Sequence, residues 1–95
     1  MIRKALVADV PEIKRLIDPF VKEGLMLPKS LHALYTSVRD FWVWHEDGAV
    51  RGCCALQISW EDMAEIRTLA VEKDRQRRGQ GLKLLRTCMQ EAVDL

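Results

Sequence analysis

The segment DRQRRGQG, residues 74–81, places three arginines and two glycines between two apolar stretches. The residues before it, AEIRTLAV, have the character of a strand, and the residues after it repeat apolar side chains at helical spacing. The expected apolar stripe of this last helix comprises Leu82, Leu85, Cys88, Met89 and Ala92. A helix that begins at glycines presents free backbone N–H groups to an anion, because no Cβ stands in the way. The segment therefore predicts a site for a pyrophosphate.

The residues before Phe41 predict one short strand, IRKAL, and two helices. Asp9 and Glu12, three residues apart, are expected to form a capping pair at the start of the first helix. Pro19 is expected to kink this helix, and Gly24 to end it. The stretch LPKSLHALYTSV predicts a second, shorter helix that is capped by Ser30.

The middle of the chain predicts three consecutive strands. FWVWHE is aromatic and β-branched, and Asp47-Gly48 is a strong hairpin signal before AVRGCCALQISW. Alternation along this last stretch predicts one shared face for Val50, Cys54, Leu56, Ile58 and Trp60. The whole order is strand, two helices, three strands and helix. It predicts a mixed α/β (α+β) fold in which the three strands form an antiparallel meander.

Composition indicates a single domain over residues 1–95, since 48% of the residues are hydrophobic and no linker divides the chain. The net charge of +1 and the absence of a long apolar run argue against nucleic-acid and membrane partners. Residues 73–86 nevertheless hold six of the 15 basic residues. A nucleic-acid adaptor that binds through this cluster therefore stays open as an alternative.

The three cysteines, Cys53, Cys54 and Cys88, fit neither a disulfide framework nor a C-x-x-C metal motif. His32 and His45 also lack the spacing of metal ligands. We therefore predict reduced thiols, no bound metal and a cytoplasmic location.

The stretch LAVEKDRQRRGQGLKLL contains the pattern Q/R-x-x-G-x-G/A after a strand, which is similar to the coenzyme A signature of the GNAT acetyltransferases. The order of elements over residues 2–95 also resembles that superfamily. The stretches EGLMLPKS, RDFWVW, GCCAL and MAEIRTLAV resemble the acetyltransferase domain of N-acetylglutamate synthase and its short relatives. This resemblance implies transfer of acetyl from acetyl-CoA to the α-amine of L-glutamate, the entry step of arginine biosynthesis. It also implies the N-terminal part of a domain whose remaining strands and helix lie beyond Leu95.

The same resemblance assigns the coenzyme-binding residues, which are Leu69, Ala70, Val71, Gln76, Arg77, Arg78, Gly79, Gln80 and Gly81. It implies that pantetheine pairs with the backbone of Leu69 and Val71, and that an N–H near Leu69 or Ala70 polarises the thioester carbonyl. The pyrophosphate would rest on the N–H groups of residues 77–81.

Three residues are candidates for binding the acetyl acceptor or for taking its proton. By resemblance, Glu65 would be the base that takes the proton from the attacking amine, and Lys29 would bind a carboxylate of the substrate. Arg67 is expected to bind the second carboxylate of the substrate, since side chains two apart on a strand project together and Arg67 should share the face of Glu65. An ordinary surface ion pair between Glu65 and Arg67 is the alternative.

The sequence also leaves other functions open. Another small amine or a protein N-terminus could replace glutamate, and a non-catalytic module could bind acetyl-CoA without turnover. The last strand of the meander would leave an unpaired edge, which favours a homodimer.

Overall fold

The computed structural model describes residues 1–95, which form four strands and three α-helices. In chain order they are β1 (Ile2–Lys4), α1 (Val10–Lys22), α2 (Leu31–Thr36), β2 (Phe41–Glu46), β3 (Ala49–Trp60), β4 (Met63–Val71) and α3 (Gln80–Asp94). Short 3-10 turns precede α1, β2 and α3. The strands form one antiparallel sheet in the order β1-β2-β3-β4, which confirms the predicted meander.

The sheet has a separate core on each face. Successive residues of β3 belong to different cores, since Cys53 and Ala55 pack with α1 whereas Cys54 and Leu56 pack with α3. The first core comprises Val10, Ile13, Leu16, Ile17, Leu34, Phe41, Val43, Val50, Cys53, Ala55 and Ala70. The second comprises Trp44, Cys54, Leu56, Val71, Leu84 and Cys88. The sheet therefore separates α1 and α2 on one side from α3 on the other.

A β-bulge near the start of β3 makes the predicted shared face wrong at Val50. Trp44 pairs with Gly52 and His45 pairs with Val50, so that Arg51 has no partner on β2. The extra residue reverses the alternation, and Val50 packs in the α1 core instead of beside Cys54.

The predicted capping pair of α1 is also wrong. The carboxylate of Asp9 accepts hydrogen bonds from Arg3 at 2.7 and 3.1 Å and from the N–H of Leu6 at 2.7 Å. The side chain of Glu12 instead accepts from the N–H of Val50 on β3 at 3.2 Å. Arg3 on β1 draws the carboxylate of Asp9 away from the N-terminus of α1, because an ion pair with two hydrogen bonds holds it more strongly than one backbone N–H does. The bond from Arg3 holds the pKa of Asp9 below its usual range.

The predicted end of α1 at Gly24 and the predicted start of α2 at Ser30 are confirmed. The helix α1 continues through Pro19 to Lys22 and stops at Gly24, whose φ is +74°. The N–H of Leu25 donates to the carbonyl of Phe20 at 2.9 Å, which completes the glycine-based C-terminal motif. Ser30 caps α2 by accepting from the N–H of Ala33 at 3.1 Å.

The buried stripe of α3 differs from the predicted one. Leu84 and Cys88 are fully buried, whereas Leu82 and Met89 are 51% and 55% exposed. Gly52 on β3 makes room for Leu84, since a Cβ there would lie 3.0 Å from the Leu84 Cδ1 atom. This contact between distant parts of the sequence sets the rotation of α3.

Candidate functional site: an open helix N-terminus and an adjoining cavity

The basic loop between β4 and α3 has the backbone conformation of an anion site. Arg77 and Gly79 both have positive φ, +68° and +80°. The first helical hydrogen bond runs from the N–H of Lys83 to the carbonyl of Gly79 at 3.1 Å, and no side chain caps the helix. The N–H groups of residues 80–82 are therefore free to meet an anion.

Two side chains fix this loop in place. Gln76 donates from Nε2 to the carbonyl of Val71 at 3.1 Å, which ties the loop to the end of β4. Arg75 turns away from the helix and contacts Glu46 at 3.5 Å and Asp47 at 3.1 Å in the β2–β3 hairpin. Its charge supports the structure of the hairpin rather than the anion site.

The remaining basic side chains are divided between structural pairs and the loop. Lys73 pairs with Glu23 at the end of α1 and also lies 5.8 Å from the ring centroid of Phe20. Arg77, Arg78, Lys83 and Arg86 are exposed and form no ion pair. Acidic partners thus neutralise two of the six basic residues of the cluster, Lys73 and Arg75.

The strand β4 lies beside this loop and forms the free edge of the sheet. It pairs only with β3, so its outer backbone edge has no partner strand. Ala70 and Val71 are buried at the end of β4 that meets the loop, and Leu69 is 40% exposed. The predicted pantetheine residues thus lie directly before the predicted pyrophosphate residues along one edge.

A second bulge, in β4, determines which side chains face α2. Ala55 pairs with Thr68 and Leu56 pairs with Ile66, which leaves Arg67 without a partner. Because of this extra residue, Arg67 and Thr68 both line the space between β4 and the segment that joins α1 to α2.

Two adjoining cavities of about 540 and 210 Å³ occupy this space. The larger is lined by Leu25, Met26, Leu27, Lys29, Glu65, Arg67, Thr68 and Leu69. The smaller is lined by Lys29, Ala33, Ser37, Asp40, Phe41, Ala55, Gln57, Arg67 and Thr68. The three predicted acceptor residues, Lys29, Arg67 and Glu65, therefore line one region, although nothing in the sequence places Lys29 opposite β4.

The charges in these cavities are mostly available to a ligand. Arg67 lies 3.5 Å from Glu65, but both side chains are about half exposed and such a pair contributes little. Lys29 forms no ion pair and no hydrogen bond. Asp40 also lacks an ion pair, and burial raises the pKa of its carboxyl group. The sequence did not predict Asp40 or Thr68 as cavity residues.

The other candidate ligands do not come together. Cys53, Cys54 and Cys88 are free thiols, and burial raises the pKa of Cys53 to about 12. No three His, Cys, Asp or Glu side chains gather in the way a metal ion would need. None of the helices combines the length and the apolar character needed to cross a bilayer.

An unpaired strand, an uncapped helix N-terminus and an adjoining charged cavity together define a protein with an anion site beside a space for a second ligand. The sequence matches the acetyltransferase (GNAT) family over residues 10–95, and the chain belongs to that family. It is similar to an amino-acid acetyltransferase of Mycobacterium tuberculosis, with 41% identity over 98 aligned residues. This match covers 100% of the chain but 56% of the relative.

Solved structures of two proteins show the same fold. N-acetylglutamate synthase from Neisseria gonorrhoeae, in complex with coenzyme A and N-acetyl-glutamate, matches with a TM-score of 0.94 and 35% identity over 99% of this chain and 22% of that one. A Mycobacterium tuberculosis protein crystallised with CoA matches with a TM-score of 0.92 and 38% identity over 99% and 58%. The chain thus spans little more than half of its mycobacterial relatives. The predicted GNAT fold is confirmed.

Proposed function

We propose that this chain supplies the coenzyme-binding part of an acetyl-CoA-dependent N-acetyltransferase that acts on the α-amine of L-glutamate. The observation that carries the proposal is the uncapped N-terminus of α3, which lies at the end of an unpaired strand next to a cavity with free charges. The names of the similar proteins and the coenzyme A in their structures support it. We place the protein in the cytoplasm and treat residues 1–95 as one domain unit.

In this proposal the coenzyme lies along β4 and ends at α3. The pyrophosphate rests on backbone N–H groups between Arg77 and Gly81, including Arg78, Gly79 and Gln80, while Gln76 holds the loop. The pantetheine arm pairs with Leu69 and Val71 as an added strand. An N–H near Leu69 or Ala70 stabilises the oxyanion that develops on the thioester carbonyl.

The acceptor occupies the cavities on the α2 side of β4. Lys29 and Arg67 bind carboxylates of the substrate, and Glu65 takes a proton from the ammonium group directly or through a water. The free amine then attacks the thioester carbon, forming the C–N bond, and the C–S bond breaks as the CoA thiolate leaves. The nitrogen gives up its second proton, which the thiolate takes up directly or through water. No covalent intermediate on the protein is required, which agrees with the burial of all three cysteines.

The exposed edge of β4 and its apolar surroundings also support a homodimer. Ile58, Trp60 and Met63 are 49%, 71% and 57% exposed at the same end of the sheet. The unpaired edge near Met63, at the other end of β4 from the pantetheine residues, favours pairing with a second copy. A mass by light scattering that stays monomeric at every concentration would contradict the homodimer.

The proposed activity is tested by measuring the release of free thiol from acetyl-CoA with a panel of amino acids. L-glutamate is expected to give the highest rate, and mass spectrometry is expected to identify its N-acetyl product. A higher rate with another amine would reject glutamate but keep the acetyltransferase. Tight binding of acetyl-CoA without turnover of any amine would favour the non-catalytic module instead.

A further inference from the structure

Thr68 is a buried residue whose hydroxyl has no partner in the protein. The residue is 4% exposed, and its Oγ1 atom makes no hydrogen bond with the rest of the chain, although it is not sealed from solvent. The other two threonines, Thr36 and Thr87, satisfy their hydroxyls with helix carbonyls of Ala33 and Lys83. Because this hydroxyl has no partner in the chain and still reaches solvent, it is free to form a hydrogen bond with a ligand.

The bulge in β4 brings Thr68 to the cavities. Thr68 follows the unpaired Arg67 and lies opposite Ala55, a small residue that leaves the space above the strand open. It lines both cavities, and so do Lys29 and Arg67. Thr68 therefore lies where the two cavities meet, on a surface that it shares with two cationic side chains.

The charges around Thr68 determine what it would bind. A hydroxyl can donate one hydrogen bond, and the two flanking cations concentrate anions at this point. A carboxylate oxygen accepts such a bond more strongly than a neutral amide oxygen does.

We propose that Thr68 is a specificity residue whose hydroxyl donates a hydrogen bond to an oxygen of the side-chain carboxylate of the acetyl acceptor. This inference rests on the proposed function, and it adds a neutral, directional contact to the charges of Lys29 and Arg67. The contact favours an acidic amino acid over its amide.

The test compares variants with and without the hydroxyl. Thr68→Val replaces the hydroxyl by a methyl group of similar size, and valine suits a strand. Thr68→Ala removes the hydroxyl without putting a group in its place. Thr68→Ser keeps a hydroxyl. Thr87→Val is the matched control, because Thr87 loses a hydrogen bond of 2.8 Å to Lys83 and neither residue lines either cavity.

Two quantities are measured for each variant. The dissociation constants of L-glutamate and L-glutamine come from titrations of the CoA-saturated protein, and the KM values for L-glutamate and acetyl-CoA come from thiol release. Thr68→Val and Thr68→Ala are expected to weaken L-glutamate about tenfold or more, as for a lost bond to a charged group, and L-glutamine by less. Thr68→Ser should recover most of this loss, and the KM for acetyl-CoA should stay within about twofold in every variant, because a lost acceptor contact leaves coenzyme binding unchanged.

The outcomes separate this inference from the proposed function. Unchanged affinity for L-glutamate in both hydroxyl-free variants, or an equal loss for L-glutamine or acetyl-CoA, would overturn the role of Thr68. Binding of L-glutamate that depends on Thr68 but leads to no acetylation would reject the proposed function and keep the inference. A wild-type protein that binds no acidic amino acid would overturn both.

Discussion

Replacing Gly79 by alanine tests whether the backbone conformation of the loop before α3 holds the coenzyme. Gly79 has φ +80° and ψ 0°, and a Cβ built there would meet no atom within 4 Å. The substitution therefore introduces no clash, and its cost is that of a left-handed conformation, about 1 kcal/mol. For a domain of this size, such a loss lowers Tm by roughly 4–8 °C.

The chain offers a control for each part of this effect. Gly24 at the end of α1 has a similar φ of +74° and equally open surroundings, so Gly24→Ala should lose the same stability. Gly81 lies in α3 with no positive φ, and a Cβ there would make an ordinary contact of 3.5 Å with Val71. Gly81→Ala should therefore keep the Tm of the wild type.

Coenzyme affinity distinguishes these three variants. If alanine pulls residue 79 out of its left-handed conformation, the free N–H groups that follow move away from the pyrophosphate. Because each bond to a charged group contributes about 1.5–3 kcal/mol, Gly79→Ala should raise the Kd for CoA roughly tenfold or more. Titration calorimetry measures the Kd, and thermal unfolding followed by circular dichroism measures Tm. Wild-type affinity in Gly79→Ala, or an equal loss of affinity in Gly24→Ala, would refute this reasoning.

Two further substitutions test the ion pair before α1 and the proposed base. Asp9→Asn should lower the free energy of unfolding by about 1.5–3 kcal/mol, because Arg3 loses a charge-assisted partner. The folded-state pKa of Asp9 is depressed, so the wild-type contribution should be complete above the ordinary carboxyl pKa near ~4 and be lost as pH falls below it. Urea unfolding between acidic and neutral pH measures this, and a constant difference between wild type and variant would contradict it. Glu65→Gln should depress the transfer rate most at low pH, where the amine is protonated, and an unchanged pH profile would remove Glu65 from the mechanism.

Local sequence signals predicted those parts of the fold that depend on a few neighbouring residues. Asp47 and Gly48 both have positive φ, +53° and +78°, as the hairpin signal requires. Gly24 and Ser30 likewise end and begin their helices as predicted, because the φ of a glycine or the oxygen of a serine acts within one turn.

Features that depend on pairing between strands were not predictable in the same way. The bulge opposite His45 moves Val50 to the other face, and the bulge at Arg67 brings Thr68 into the cavities. Each bulge adds one residue to one strand, and no local propensity reveals its position. The same limit applied to α3, where Gly52 on a distant strand makes Leu84 the buried residue.

The sequence likewise predicted one part of the proposed site, the anion loop, and not the assembly of the other, the acceptor cavities. The anion loop follows from the order of strand, glycines and helix within one continuous stretch. The acceptor cavities join Lys29 to Arg67 across the space between two elements, and only the fold brings them together.

The most direct measurement of the central claim is a titration of the isotope-labelled protein with CoA, followed through its backbone amide resonances. Binding at the open end of α3 should shift the amide resonances of residues 76–82 and 69–71 most. The amide resonances of basic residues elsewhere in the chain should shift little. A DNA oligonucleotide of equal concentration should cause no comparable shift at the same amides. Unshifted amides at residues 76–82 with saturating CoA, or the same shifts with the oligonucleotide, would contradict a coenzyme site at this helix.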